Sequence, residues 1–532
     1  MIHNGHRGPA VAAEGHGQQR HRLALLVGMR MAFIAILGSV GCGVPTGEPE
    51  EATAAPAEAP AAEDADEQRG LRTNTPEASP GYVFFTPNRS LTTYLVDLEG
   101  RVVHTWQSDQ GPAGGAYLLD NGHLLRGARE PDVPVFSGGG QGGRLQELTW
   151  DGEVVWDFTF ASEDHLLHHD VAVLPNGNIL AIAWEQKSAE EANQAGRLAA
   201  LTPEAGLWPD MIVEFEPQRP DGARIVWEWH MWDHTIQHHN PDASHYGEPA
   251  DHPELIDING DREAPEMSAA ELMRVQALGY VPDEMAPDDL QSDLLHMNAV
   301  NYNAALDQIV MSVPRFNEIW VIDHSTTTEE AAGHAGGRSG RGGDLLYRWG
   351  HPRAYGRGEE VARRLFFQHD VRWVPEGMPG AGHLTLFNNR IEDPDGTYSA
   401  VFEIAPPTDG AGRYVVPDAG PFGPEEPTWR YVAPTRTAFF SSFISGAHRL
   451  ANGHTFITSG AQGRFFEVTP EGEIVWEYWT PYAGTLPGNQ ATNANPYSVF
   501  RAAKIAPDHP ALAGRGLTPL DPQPPLVTPP AR

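Results

Sequence analysis

The stretch Leu118-Leu119-Asp120-Asn121-Gly122-His123-Leu124-Leu125 decides the fold. An Asn-Gly pair between two apolar runs is a strong hairpin signal, because both residues tolerate positive φ. The pattern returns as VLPNGNIL (173–180) and RLANGHTF (449–456). A second motif, short and aliphatic-aromatic, recurs alongside it: VVHTW (102–106), VVWDF (154–158), IVWEW (225–229), LLYRW (345–349), PTWRY (427–431) and IVWEY (474–478). Several copies follow a glycine turn, as in DLEGR, TWDGE and TPEGE. The copies start at 102, 154, 225, 345, 427 and 474, so the intervals run from 47 to 120 residues. Six strand pairs with unequal insertions and little helical periodicity predict an all-β, six-bladed β-propeller over residues 79–507. A β-sandwich array is the rival and accounts less well for the recurring turns. The longest insertion, 231–295, carries SAAELMRVQALGYV, which is expected to be helical, and long loops in compact repeats are commonly binding loops or lids.

The 532-residue chain carries a formal net charge of -35, which disfavours nucleic acid as a partner. Cys42 is the one cysteine, so no internal disulfide can form. Before it stand Arg20, Arg22 and Arg30, then the apolar run MAFIAILGSVG. A basic region, a short apolar core and small residues before a cysteine read as a bacterial lipoprotein signal over 1–42, with Cys42 acylated. Ser39 stands where such signals usually have leucine, and Met29 and Met31 are alternative translation starts. Residues 43–78, rich in Ala, Glu and Pro, are expected to be a disordered tether, and 508–532 a proline-rich tail. The expected location is the periplasm or the outer membrane, with membrane contact only through the lipid. Oligomeric state is open, a homodimer included.

Histidines fall at strand heads. His169 stands in HHDVAVLPNGNIL, His296 in LHMNAVNYN, His369 in QHDVRW and His448 in GAHRLANGHTF. The first strand of each propeller blade lines the central channel, so residues at corresponding places converge on the axis. Any one such histidine can simply cap a turn, but three in one pocket are hard to explain as core filling. The pairs His168/His169 and His238/His239 invite a metal reading, yet no HExxH motif and no cysteine ligand set supports one. No metal or other cofactor is therefore expected.

The stretches WEWHMWDHTIQHHNPD, HPELIDING, HMNAVNYNAALDQIVMSV, NEIWVIDHSTTTEEAAGH, GGDLLYRWG and QHDVRW resemble the bacterial aryl-sulfate sulfotransferases, over roughly residues 80–505. That resemblance implies an exported six-bladed propeller that moves a sulfuryl group from a phenolic sulfate ester to another phenol, without a nucleotide donor. It implies His369 as nucleophile, His169 and His296 as further active-site histidines, and an arginine matched by Arg315. The arginine's context, MSVPRFNEIW, is offset by about one residue and has Pro314 before it. Asn298 and Asp370 are candidates to orient neighbouring imidazoles, Asp370 being equally readable as a strand-turn cap. Trp232, Phe366 and Phe367 are candidates for the wall of a phenol pocket, though several of them are expected to be blade core.

The chemistry suits these residue types. Sulfuryl transfer, like phosphoryl transfer, runs through a loose, oxygen-rich transition state, so positioning and charge stabilisation dominate. A neutral imidazole can hold the group covalently, which gives ping-pong kinetics. The chain also lacks a GxxxxGK[ST] phosphate loop. The alternatives are a non-catalytic cell-surface propeller that binds a partner and, less well supported, a metal- or quinone-dependent dehydrogenase.

Overall fold

The computed structural model describes residues 68–133, 135–261, 272, 291–486 and 495–526. Six antiparallel sheets follow one another around a ring. From the inner strand outward, blade 1 is Val499–Ile505, Tyr82–Pro87, Thr92–Val96 and Val102–Gln107. Blade 2 is Pro112–Leu118, Leu124–Arg129, Gly143–Leu148 and Val154–Thr159. Blade 3 is His165–Val173, Ile179–Glu185, Asp210–Gln218 and Gly222–His230. Blade 4 is Ala299–Asn303, Gln308–Val313, Glu318–Asp323 and Tyr347–Trp349. Blade 5 is His369–Trp373, Leu384–Asp393, Gly396–Ile404 and Trp429–Tyr431. Blade 6 is Gly446–Arg449, Thr455–Ser459, Arg464–Val468 and Ile474–Trp479, with Gly70–Asn74 added outside as a fifth strand. The protein is a six-bladed propeller, as expected. The Asn-Gly turns join first to second strands in blades 2, 3 and 6, and the aliphatic-aromatic motifs lie on or against the six outer strands.

The outer-strand motif has a physical reason. Its tryptophan is an inter-blade tie, donating its indole N–H to a carbonyl in the turn between the third and fourth strands of the next blade. Trp156 reaches Gly222 at 2.8 Å, Trp229 reaches Gly343 at 2.8 Å, and Trp349 reaches Pro424 at 2.7 Å. Trp429 reaches Pro470 at 2.7 Å, and Trp476 closes the ring onto Leu98 at 2.9 Å. Blade 1 varies the theme: His104 bonds the Trp150 carbonyl at 2.9 Å, and Trp106 meets the Trp150 ring edge-on with centroids 5.0 Å apart. In blades 2, 3, 4 and 6 the tie buries a large apolar ring and satisfies its indole N–H at once.

Both chain ends help to close the ring, which corrects two expected boundaries. The tether was expected to run to residue 78, but Gly70–Asn74 pairs with Ile474–Trp479. The C-terminal tail was expected to start at 508, but Leu512 is buried against blade 1, the Leu520 amide bonds the Val102 carbonyl at 2.8 Å, and Gln523 bonds Val102. Sparse large apolar residues hid both segments, because their pairing is mainly through the backbone. The expected export segment, Cys42 and most of the tether lie outside the described residues. So does the expected helix at 268–281, apart from Leu272, which is helical and buried. The described part of the insertion is strapped to blade 4 by the buried Arg348, which pairs with Glu318 and bonds the Leu255 carbonyl at 2.9 Å.

Candidate active site

The inner strands of blades 3, 4, 5 and 1 bring the site together. His169 and Asp170 interrupt the ladder between the first two strands of blade 3, and His369 and Asp370 do the same in blade 5. Such irregularities re-aim side chains and are common beside active sites. Three of the residues concerned have left-handed backbones: His169 (φ 54°), His296 (φ 56°) and Asp370 (φ 56°). Strain of this kind costs on the order of 1–3 kcal/mol per residue and persists only where its surroundings impose it. Gly140 is part of that imposition, since a Cβ there would lie 2.3 Å from the His169 ring.

His169 and His296 meet, their rings perpendicular and 4.5 Å apart. His369 belongs to the same neighbourhood, within electrostatic reach of both His169 and His296. The three histidines therefore form one group. They are not equivalent in frame: His169 and His369 stand one residue before an aspartate, whereas His296 stands two before Asn298.

Each imidazole has its own anchor. His369 donates Nδ1–H to Asn389 Oδ1 at 2.8 Å, because the Asn389 amide nitrogen is committed to the Ser441 and Ile444 carbonyls. Its Nε2 accepts the Ile444 amide at 3.1 Å, so the ring is neutral. Burial pushes His369 down to about 3, in agreement with that bonding. His296 bonds Asp293 through Nδ1. Burial alone would raise Asp293, but His296 and Arg315 outweigh it and hold the carboxyl at about 2. Arg315 lies at the edge, its Nε 4.0 Å from Asp293 and its side chain 21% exposed.

His169 is held by its neighbour. Its Nδ1 is 2.7 Å from His168 Nδ1, and His168 Nε2 is 2.8 Å from Asp210. His168 also stacks on Trp184 at 4.1 Å. The His168–His169 contact is a hydrogen bond that holds one proton, whereas His168 Nε2 and both Asp210 carboxylate oxygens lack a hydrogen-bond partner among the described residues, so the Asp210 contact is electrostatic only. Burial, then the charge of Asp293, pushes Asp210 well up, while burial holds His168 at about 3 and His169 well below its usual value.

Below the histidines sits Arg501, on the closing strand of blade 1. It pairs with Asp170 at 2.9 Å and Asp370 at 2.8 Å and bonds the Tyr117 hydroxyl at 3.0 Å. Burial opposes its charge, but the two carboxylates more than compensate and push its pKa up. Asp370 also pairs with Arg372 at 2.6 Å. The expectation that Asn298 and Asp370 orient imidazoles is corrected, because both tie blades together. Asn298 donates to the Gln368 carbonyl at 2.9 Å, Asp370 accepts the Ala447 amide at 3.0 Å, and Asp170 likewise accepts the Val300 amide at 3.2 Å. His448 accepts the Lys504 amide at 3.3 Å, which makes it part of the ring closure. Phe366 and Phe367 lie half-buried beneath Arg363 and Arg390, and Trp232 packs on the blade 3–4 core.

The sequence reading missed Arg501, Asn389, the His168–His169 bond and Asp210. Asp210 and Asn389 sit far from any histidine motif, and Arg501 lies on a strand that carries none of the repeat signals. The HH doublet at 168–169 was the one available hint.

The arylsulfotransferase (ASST) family model matches residues 69–478, and the chain belongs to that family. Sulfotransfer involving aryl sulfates is the general chemistry of the family. No curated protein matches the chain in sequence. Among solved structures, a Bacteroides caccae protein of unknown function is 10% identical, with a TM-score of 0.40, covering 80% of this chain and 99% of its own. A streptogramin B lyase is 10% identical with a TM-score of 0.35, covering 77% and 87% respectively. A virginiamycin B lyase from Staphylococcus aureus is 10% identical with a TM-score of 0.30, covering 71% and 73%.

Proposed function

We propose that this protein transfers a sulfuryl group from an aryl sulfate ester to a phenol through a sulfohistidine on His369. The observation that carries the reading is the neutral His369 ring, fixed as the Nδ1–H tautomer by Asn389 and grouped with His169 and His296. In the first step the Nε2 lone pair attacks sulfur, the N–S bond forms, and the S–O bond to the aryl group breaks. The departing phenolate takes a proton from a neighbouring imidazole, His169 or His296. In the second step the acceptor phenol's oxygen attacks sulfur, the N–S bond breaks, and the phenol's proton returns to that imidazole. The hydrogen bond from His168 holds the His169 ring in place beside the reacting group. Arg315 supplies positive charge, and the two imidazoles supply N–H donors, for the three non-bridging oxygens.

The Ile444 amide occupies the Nε2 lone pair, so this bond must open before attack. Ile444 and Ser445 both have positive φ (49° and 88°), and that segment is the one that has to yield. The protein is further proposed to be exported and lipid-anchored through Cys42, on the strength of the signal-like run before it. Loss of fatty-acid labelling in Cys42→Ser tests the anchor.

The mechanism is tested by incubating wild type and His369→Asn with an aryl sulfate alone and analysing peptides by mass spectrometry. A sulfate on the wild-type His369 peptide, absent in the variant, is expected. Phenol release without any sulfated His369 peptide refutes the intermediate. Release that does not depend on an acceptor phenol makes the enzyme a hydrolase instead.

A further inference from the structure

Three of the sequence stretches that resemble the sulfotransferases do not end at the imidazole group. WEWHMWDH, EEAAGH and GGDLLYRWG converge on the outer side of blades 3 and 4, where His234, His334 and Asp344 meet. His234 lies in the helical turn Met231–His234 that follows the outer strand of blade 3, and its side chain is fully buried. It stacks parallel to Trp229, with centroids 5.6 Å apart. His334 follows the short helix Thr328–Ala331 and is 60% exposed. Asp344 precedes the outer strand of blade 4.

The proton count at His234 is the telling point. Its Nε2 is 2.8 Å from the Ala331 carbonyl, which can only accept, so Nε2 carries a hydrogen. Its Nδ1 is 2.8 Å from Asp344 Oδ1, also an acceptor. In the neutral tautomer a nitrogen lone pair would therefore face a carboxylate oxygen at contact distance. A positive centre must lie between them, either a second proton or a metal cation. His334 Nδ1 approaches the same Oδ1 at 2.8 Å, and the donor atoms of all three residues lie within 4.8 Å of one another. A proton on His234 and an Nδ1–H on His334 would serve the two contacts separately, whereas one cation serves all three donors at once.

We propose that His234, His334 and Asp344 bind a divalent transition cation of the zinc class, with water completing the coordination. Two imidazole nitrogens and a carboxylate are the donors such ions favour. The Ala331 carbonyl plays the outer role usual for a metal-bound histidine, holding the far N–H and so presenting Nδ1. Metal–ligand bonds of about 2.0–2.1 Å need donors about 3.3 Å apart. Two openings of about half an ångström are required: the exposed His334 takes up its own, and a small rotation of the Asp344 carboxylate is needed for the one against the buried His234. The ion would tie the 327–344 segment to the end of blade 3, a structural task separate from sulfuryl transfer.

The test uses full-length protein stripped with chelator, then dialysed against micromolar zinc with millimolar magnesium, with zinc measured by mass spectrometry. The chain contains 24 histidines, so the difference between variants is the readout. Wild type is expected to hold one more zinc per chain than His334→Ala or Asp344→Asn. Zinc should raise the wild-type melting temperature and leave that of His334→Ala unchanged. The exposed position of His334 keeps its variant folded, and the melting curve without zinc verifies this. Equal zinc in wild type and folded His334→Ala, or no bound zinc in either, overturns the proposal.

Discussion

Lowering the pH from 6.5 to 5 should destabilise this propeller steeply, and the cause lies on its inner strands. His369 and His448 each accept a backbone amide through Nε2, so protonation would break those bonds. Burial holds His168, His369 and His448 at about 3, and His169 well below the usual value. In the unfolded chain these groups titrate near 6.5. Between pH 6.5 and 5 these four groups bind more protons in the unfolded state, and stability falls as pH falls. Asp210, raised well above its usual value by burial, keeps in the folded state a proton that the unfolded chain lacks and offsets part of that fall. Each histidine costs about 1.4 kcal/mol per pH unit, hence about 2 kcal/mol at pH 5, and about 6 kcal/mol for a net of about three protons. That is comparable to the whole stability of a typical domain, about 5–15 kcal/mol. His230 and His324 act in the opposite sense. Their carboxylate partners Glu185 and Glu214 overcome burial and raise them, so their contribution is complete below pH 6.5 and is lost only as pH climbs through their raised values. They therefore do not soften the acid slope. Urea midpoints at constant ionic strength, taken every half unit from pH 7.5 to 5, measure it. His448→Gln keeps a neutral acceptor and should reduce the loss between pH 6.5 and 5 by about 2 kcal/mol. A flat profile over that window, or an unchanged slope in His448→Gln, would refute the reasoning.

Arg501→Met should lower stability by about 3–5 kcal/mol at neutral pH, because Asp170 and Asp370 lose a shared buried counter-ion. Urea unfolding reads this, and the loss should shrink as acid protonates the carboxylates. Asn389→Leu should cut aryl sulfate turnover by about tenfold to a hundredfold, because the Nδ1–H tautomer of His369 loses its acceptor. The check is kcat against KM, with the effect expected in kcat.

The ring architecture was legible because its unit is local. An apolar-aromatic run repeats six times, and the indole ties explain why five of the six copies carry a tryptophan that reaches the next blade. The closing strands were not legible, because Gly70–Asn74 and Val499–Ile505 are defined by partners some 400 residues away in sequence. For the site, strand-head histidines announced three rings that do come together. Their anchors stayed hidden: Asn389 lies 20 residues from His369, and Asp210 lies 42 residues from His168. Arg315 was placed near the group, whereas the central cation, Arg501, carried no signal at all.

Arg501 also sets an order of events. It lies on the last strand of the ring and is made after every blade it neutralises. Until it arrives, Asp170 and Asp370 face the axis without their shared cation, and blade 1 lacks its inner strand. A chain clipped before residue 499 would carry every strand of blades 2–6 but neither the inner strand of blade 1 nor the cation at the centre. The site is therefore completed only by the last strand, and a product that lacks it leaves the Asp170 and Asp370 carboxylates without the charge they share.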